Sequence, residues 1–151
     1  MRAVQNFDVP GAYLHASLPY DKVVHMKFKG EFVKIMCEVN PEYEKFVIYE
    51  NGKKVLYVLI LKAVYGMIES ALLWYDLFST TLLDSGFKLN PYERCIENKF
   101  IVKHQCTIGW FVYNNNVSHM DDNFNSIISD IIEEKSGSYL AQQKRSTYSS
   151  V

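Results

Sequence analysis

Residues 46–61 read Phe-Val-Ile-Tyr-Glu-Asn-Gly-Lys-Lys-Val-Leu-Tyr-Val-Leu-Ile-Leu. Two β-rich runs, 46–49 and 55–61, flank Asn51-Gly52. A tight hairpin turn needs positive φ at both central residues, which Asn tolerates and Gly adopts at no steric cost, so the stretch predicts an antiparallel hairpin. Just downstream, residues 67–84 change from two-residue alternation to helical spacing. Ala71, Trp74, Phe78 and Leu82 share one face, Leu73 and Leu77 another, and Gly86 is the expected stop. Apolar over much of its circumference, this helix is expected to be largely buried. Hairpin and helix together point to an α+β chain.

Toward the N-terminus, residues 3–9 predict a strand that Pro10-Gly11 stops, then a short helical turn over Gly11–Ala16. A strand is expected at Val23–Phe28. Phe32, Ile35 and Met36 mark a short helix over 31–39 that ends at Asn40-Pro41. Toward the C-terminus, strands are expected at Cys95–Val102 and Cys106–Val112, then a polar turn Tyr113-Asn114-Asn115-Asn116, then a strand Val117–His119. Asp121 or Asp122 can cap a helix running to about Glu134. Residues 136–151 are polar and aperiodic, which predicts a disordered tail. The expected fold is an α+β antiparallel sheet with helices packed on one face.

The 151 residues fit one domain with a modest core, and the 48% hydrophobic and 15% aromatic content excludes the disordered class. A net charge of −1 speaks against strong nucleic-acid binding by this chain alone, since phosphate neutralisation needs a basic excess. The lysines Lys22, Lys27, Lys29, Lys34 and Lys62 read as a solvated face or as contacts to a template backbone. Three cysteines, Cys37, Cys95 and Cys106, form no CxxC pair, and no leader-like or membrane-spanning apolar run is present. These features point to an intracellular protein, cytoplasmic or nuclear, with reduced thiols and no membrane partner.

Several blocks resemble the reverse transcriptase of copia-type retrotransposons. Phe7-Asp8-Val9-Pro10-Gly11-Ala12-Tyr13-Leu14-His15-Ala16 is similar to the family's FDVxxAYLHG. Leu61-Lys62-Ala63-Val64-Tyr65-Gly66, with Ser70 and Leu73-Trp74-Tyr75, is similar to LYGLKQSPRLWY, although Glu69 stands where many members carry Gln. Gly86-Phe87 fits an LGF block. Residues 106–112 and 117–119 fall where the family has two strands around a YVDD turn. The blocks are in order and span about residues 3–135.

The resemblance implies a polymerase-palm-like unit over residues 1–135, with fingers expected before it and a primer grip and thumb after it. It implies an RNA-directed DNA polymerase, a nucleotidyltransferase whose partners are an RNA or DNA template–primer and deoxynucleotides, with Mg²⁺ as cofactor. Two hard cations activate the primer hydroxyl and neutralise the triphosphate, and they need carboxylates from neighbouring strands. Asp8 corresponds to the first metal-binding carboxylate. Tyr13 corresponds to the aromatic under the nucleotide sugar, and Gly66 to the point where the backbone nears the nucleotide. The departure lies at the turn, where Val112-Tyr113-Asn114 replaces Val-Asp-Asp. Tyr113 and Asn114 carry no charge at neutral pH. The resemblance therefore implies a degenerate, inactive fragment in which Asp8 is the vestige of the metal site. The alternative is a non-catalytic nucleic-acid-binding or protein-interaction module co-opted from the element.

Overall fold

The computed structural model describes residues 3–101, 103–112 and 115–120. Tyr113 and Asn114, the expected helix over 121–134 and the expected tail over 136–151 lie outside the described residues. The elements run β1 (Ala3–Phe7), α1 (Ala12–His15), β2 (Val24–Lys29), α2 (Glu31–Val39), a 3-10 turn (Pro41–Phe46), β3 (Ile48–Glu50), β4 (Lys53–Ile60), α3 (Ser70–Asp84), β5 (Lys88–Leu89), β6 (Ile96–Ile101), β7 (His104–Trp110) and β8 (Asn115–His119). This is a mixed α+β chain with two antiparallel sheets, where a single sheet was expected. It divides into two compact units, one formed by the segments up to Ala16 and from Ala63 onward, the other by Ser17–Lys62.

The second unit is the three-stranded sheet β2-β4-β3 with α2 packed on it. Its hairpin turns at the expected residues: Asn51 has φ 48° and Gly52 φ 74°, and Glu50 pairs with Lys53. Along β2, Val24, Met26 and Phe28 are half-buried while His25, Lys27 and Lys29 are exposed, the alternation of a strand covered on one side. On α2 the stripe turned inward is Val33 (buried) with Met36 and Cys37 (half-buried). Phe32 and Ile35, expected on the apolar face with Met36, are exposed instead. Burial selects the i, i+3, i+4 set that starts one residue later. Lys27 is ion-paired with Glu50, which also accepts a 2.7 Å hydrogen bond from the Tyr57 hydroxyl. This links all three strands, at a surface where such a pair contributes little stability.

The first unit is a five-stranded antiparallel sheet in the order β1-β8-β7-β6-β5. Cys106, Ile108 and Trp110 of β7 and Asn115, Val117 and His119 of β8 alternate onto one buried face. Ile108 lies opposite Val117 and Trp110 opposite Asn115. The core of the unit joins Trp74, Phe78 and Leu82 of α3 to Ile108, Trp110 and Val117. The other face mixes polar residues with Ile96 and the exposed Phe100. Its Thr107 hydroxyl donates to Asn98 Oδ1 at 2.8 Å, and Gln105 Nε2 donates to the same oxygen at 2.7 Å.

Helix α3 starts at Ser70, three residues later than the apolar pattern suggests. The buried Ser70 hydroxyl donates to the carbonyl of Val64 at 2.6 Å, and that bond shapes the turn before the helix. The helix ends where Gly86 was expected to stop it. Gly86 has φ 85°; its N–H donates to Leu83 O at 2.9 Å and the Phe87 N–H donates to Leu82 O at 3.1 Å. That pair of bonds is a Schellman cap, and Phe87 packs with Leu82 in the same core. The expectation that the helix is largely buried holds for one face. Ala71 is exposed, as are Leu72 and Leu83, so α3 buries one face only. Among the described residues, no helix is long and apolar enough to cross a membrane.

Candidate functional site

Asp8 follows the last residue of β1. The register sets Phe7 opposite Asn115, so β8 begins one residue past Asn114 and pairs with β1 one residue short of Asp8. Strand alternation puts Asp8 on the side of Val4 and Asn6, away from the face that α3 covers. The expected turn 113–116 is shorter than its sequence suggests: Asn115 and Asn116 belong to β8 and pair with Phe7 and Asn6.

After Asp8 the chain reverses. Gly11 takes the left-handed conformation, φ 62°, that Pro10-Gly11 foreshadows, and Ala12 N–H donates to Val9 O at 3.1 Å. Short helix α1 then presents Tyr13, whose ring centroid lies 4.7 Å from that of Tyr65. The Ala63 N–H donates to Ala16 O at 2.9 Å and ties the two segments together. Tyr13 therefore stands beside the Tyr65-Gly66 turn, and both expected nucleotide-side residues fall on one pair of joined segments. Gly66 has φ 93°, and a Cβ there would meet nothing within 4 Å. Backbone conformation, rather than crowding by the chain itself, is what requires glycine at this position.

Polar atoms near this end of the sheet lack partners. Asp8 Oδ1 is buried without a hydrogen bond among the described residues. Asn115 is fully buried, and among the described residues neither its amide nitrogen nor its amide oxygen has a partner. It sits between Phe7 and Trp110 in one cross-strand row. An unpaired buried polar group costs about 1–3 kcal/mol. Replacing Asn115 by Leu, close in volume, is therefore expected to stabilise the chain by about 1–3 kcal/mol. Urea denaturation followed by circular dichroism reads this directly. A lowered midpoint in the variant would show that the amide is satisfied in solution.

The family's cofactor can be tested against this donor set. Magnesium takes hard, preferably anionic oxygen ligands in near-octahedral geometry. The residues at 113–116 are Tyr-Asn-Asn-Asn, so β8 and the residues leading into it bring no carboxylate toward Asp8. Among the described residues, no group of three or more His, Cys, Asp or Glu side chains gathers anywhere. One carboxylate with amides does not fit a two-cation clamp.

The burial of Asn115 and of Glu97 has no clear signal in the sequence. Asn115 sits in a run of three asparagines that reads as a turn. Glu97 stands in a strand whose apolar residues do not alternate cleanly, so neither face announces itself. Glu97 is fully buried; its Oε1 accepts a 2.9 Å hydrogen bond from Ser79 Oγ of α3, and burial pushes its carboxyl up from the ordinary range. No family model, no curated protein and no solved structure matches the chain.

Proposed function

We propose that the unit built on β1, β7 and β8 is a degenerate polymerase palm of the copia-type reverse transcriptase kind, one that no longer polymerises. The observation that carries this reading is the β1–β8 register. It brings the strand end bearing Asp8 alongside the strand that begins directly after Tyr113-Asn114. Two strands converging so that their ends can share cations is the arrangement a two-metal polymerase needs. Tyr13 and Gly66, the nucleotide-side positions of the resemblance, lie on segments joined by the Tyr13–Tyr65 ring contact. Helix α3 covers the sheet face away from Asp8, so it does not stand between Asp8 and a template–primer.

The same sequence explains silence. Polymerisation depends on carboxylates that hold two cations, and the residues at the turn are a phenol and an amide. Restoring them tests the reading. Mn²⁺ titration of the full chain, read by paramagnetic NMR broadening, is expected to show weak binding in the wild type. The combined Tyr113→Asp and Asn114→Asp variant is expected to bind much more tightly. Loss of supporting outer-shell groups alone changes metal affinity by about 10–100-fold, so two restored direct ligands should gain at least that. Each single change should do less, because ligands of one cluster act as a unit. Adding Asp8→Ala to the combined variant should remove the gain. Equal Mn²⁺ binding by wild type and combined variant would show that the turn does not converge with Asp8.

A further inference from the structure

Glu97 is the strongest unexplained group in the chain. It is fully buried on β6 and faces α3; its Oε1 accepts a hydrogen bond from Ser79 Oγ at 2.9 Å, and among the described residues its Oε2 has no partner. The neighbours it pairs with across the sheet are Ile108 on β7 and Leu89 on β5, both apolar. A carboxylate here would be an uncompensated buried charge, which proteins avoid by protonation.

The surrounding charges do not rescue it. Lys99, two residues on along the same face of β6, is the nearest cation in sequence. Its Nζ instead donates to the Ser85 carbonyl at 2.6 Å and lies 5.6 Å from the Phe87 ring centroid. The other titratable groups on the packed elements are Asp76 and Asp84, exposed on α3; Tyr75, half-buried on α3; Lys88, exposed on β5; Cys106, buried, and His104, exposed, on β7; and His119, buried on β8. Among the described residues, none of them forms an ion pair with Glu97.

We propose that Glu97 is a proton-controlled latch between α3 and the sheet, neutral when α3 is seated and able to loosen the Ser79–Asp84 half of the helix when it ionises. As a neutral acid, Glu97 fills the seam and keeps the Ser79 bond. Once ionised, the carboxylate needs water, which enters only if the seam opens. The residues nearest this event are those around the Schellman cap, where Lys99 holds the Ser85 carbonyl. The direction with pH follows. The folded-state pKa lies above the ordinary value near 4.5. The contribution is fully present below that value and is lost as pH rises toward the folded-state pKa.

Denaturant unfolding and amide hydrogen exchange of the full chain from pH 4 to 9 test the latch. The comparison is wild type against Glu97→Gln, which keeps shape and removes the charge. The ratio of the two unfolding constants is expected to rise with pH, about tenfold per unit across the window, and to level off above it. After correction for intrinsic exchange, amides over 79–87 should lose protection with pH in the wild type and not in the variant. Glu97→Leu supplies the comparison if the Gln variant does not fold. The carboxyl carbon shift of Glu97 in ¹³C-labelled wild-type protein needs no variant, and it should titrate above the ordinary glutamate range. Parallel stability profiles, or a Glu97 shift that titrates at the ordinary value, would overturn the proposal.

Discussion

Trp74→Ala is expected to lower the stability of the chain by about 3–5 kcal/mol, the range for removing a buried large aromatic. Trp74 is 1% exposed and stacks on Phe78 with centroids 5.1 Å apart. Phe78 in turn meets Trp110 edge-on at 5.0 Å, and Tyr75 lies 5.1 Å from the same Trp110 ring. The stack carries the contact between α3 and β7, so its loss leaves a cavity in the middle of the unit. No polar bond among the described residues is lost with it, because Trp74 Nε1 has no partner there. The cost is then packing and transfer alone. Small domains have about 5–15 kcal/mol in all, so the loss takes a large fraction of the total. Leu72→Ala on the same helix is the contrast: Leu72 is 60% exposed, and a surface change of this kind stays within about 0.5 kcal/mol. Urea titrations of the two variants by circular dichroism check both halves. A Trp74→Ala loss no larger than that of Leu72→Ala would show that α3 is not seated on the sheet.

What could be read from the sequence was what local backbone chemistry decides. Asn51-Gly52 and Gly86 each sit at positive φ, and these residue types announce such positions without tertiary help. The end of α2 was legible too, because Asn40-Pro41 stops it. The face of a helix was less legible. Val33 and Ser70 are buried where Phe32 and Ala71 were expected, since neighbours and not residue type select the inward stripe. The division into two sheets was not legible at all, because strand partners far apart in sequence carry no local signal. The two-residue β5 and the 3-10 turn over Pro41–Phe46 were also missed, being too short for any period to emerge.

The candidate site follows the same rule. Asp8, Tyr13 and Gly66 stand in turn-rich segments whose residue types are distinctive, and the resemblance could be laid on them directly. Asn115 could not be read in this way. An asparagine after two residues of turn composition looks like more turn, and only the register with Phe7 shows it inside the sheet. Its unpaired amide in the row between Phe7 and Trp110 is a local conflict of the kind that weakens a fold.

Primer extension is the most direct measurement of that claim. The purified chain is incubated with a primed RNA or DNA template, deoxynucleotides and Mg²⁺ or Mn²⁺. Cation stabilisation of the transition state is worth several kcal/mol, and each 1.36 kcal/mol is about tenfold in rate. Asp8 is the one carboxylate at the three positions that the resemblance assigns to metal, with Tyr113 and Asn114 standing at the other two in the sequence, so no product above background is expected with either metal or either template. Extension by the unmodified chain, abolished by Asp8→Ala, would contradict the reading and mark the chain as a working polymerase.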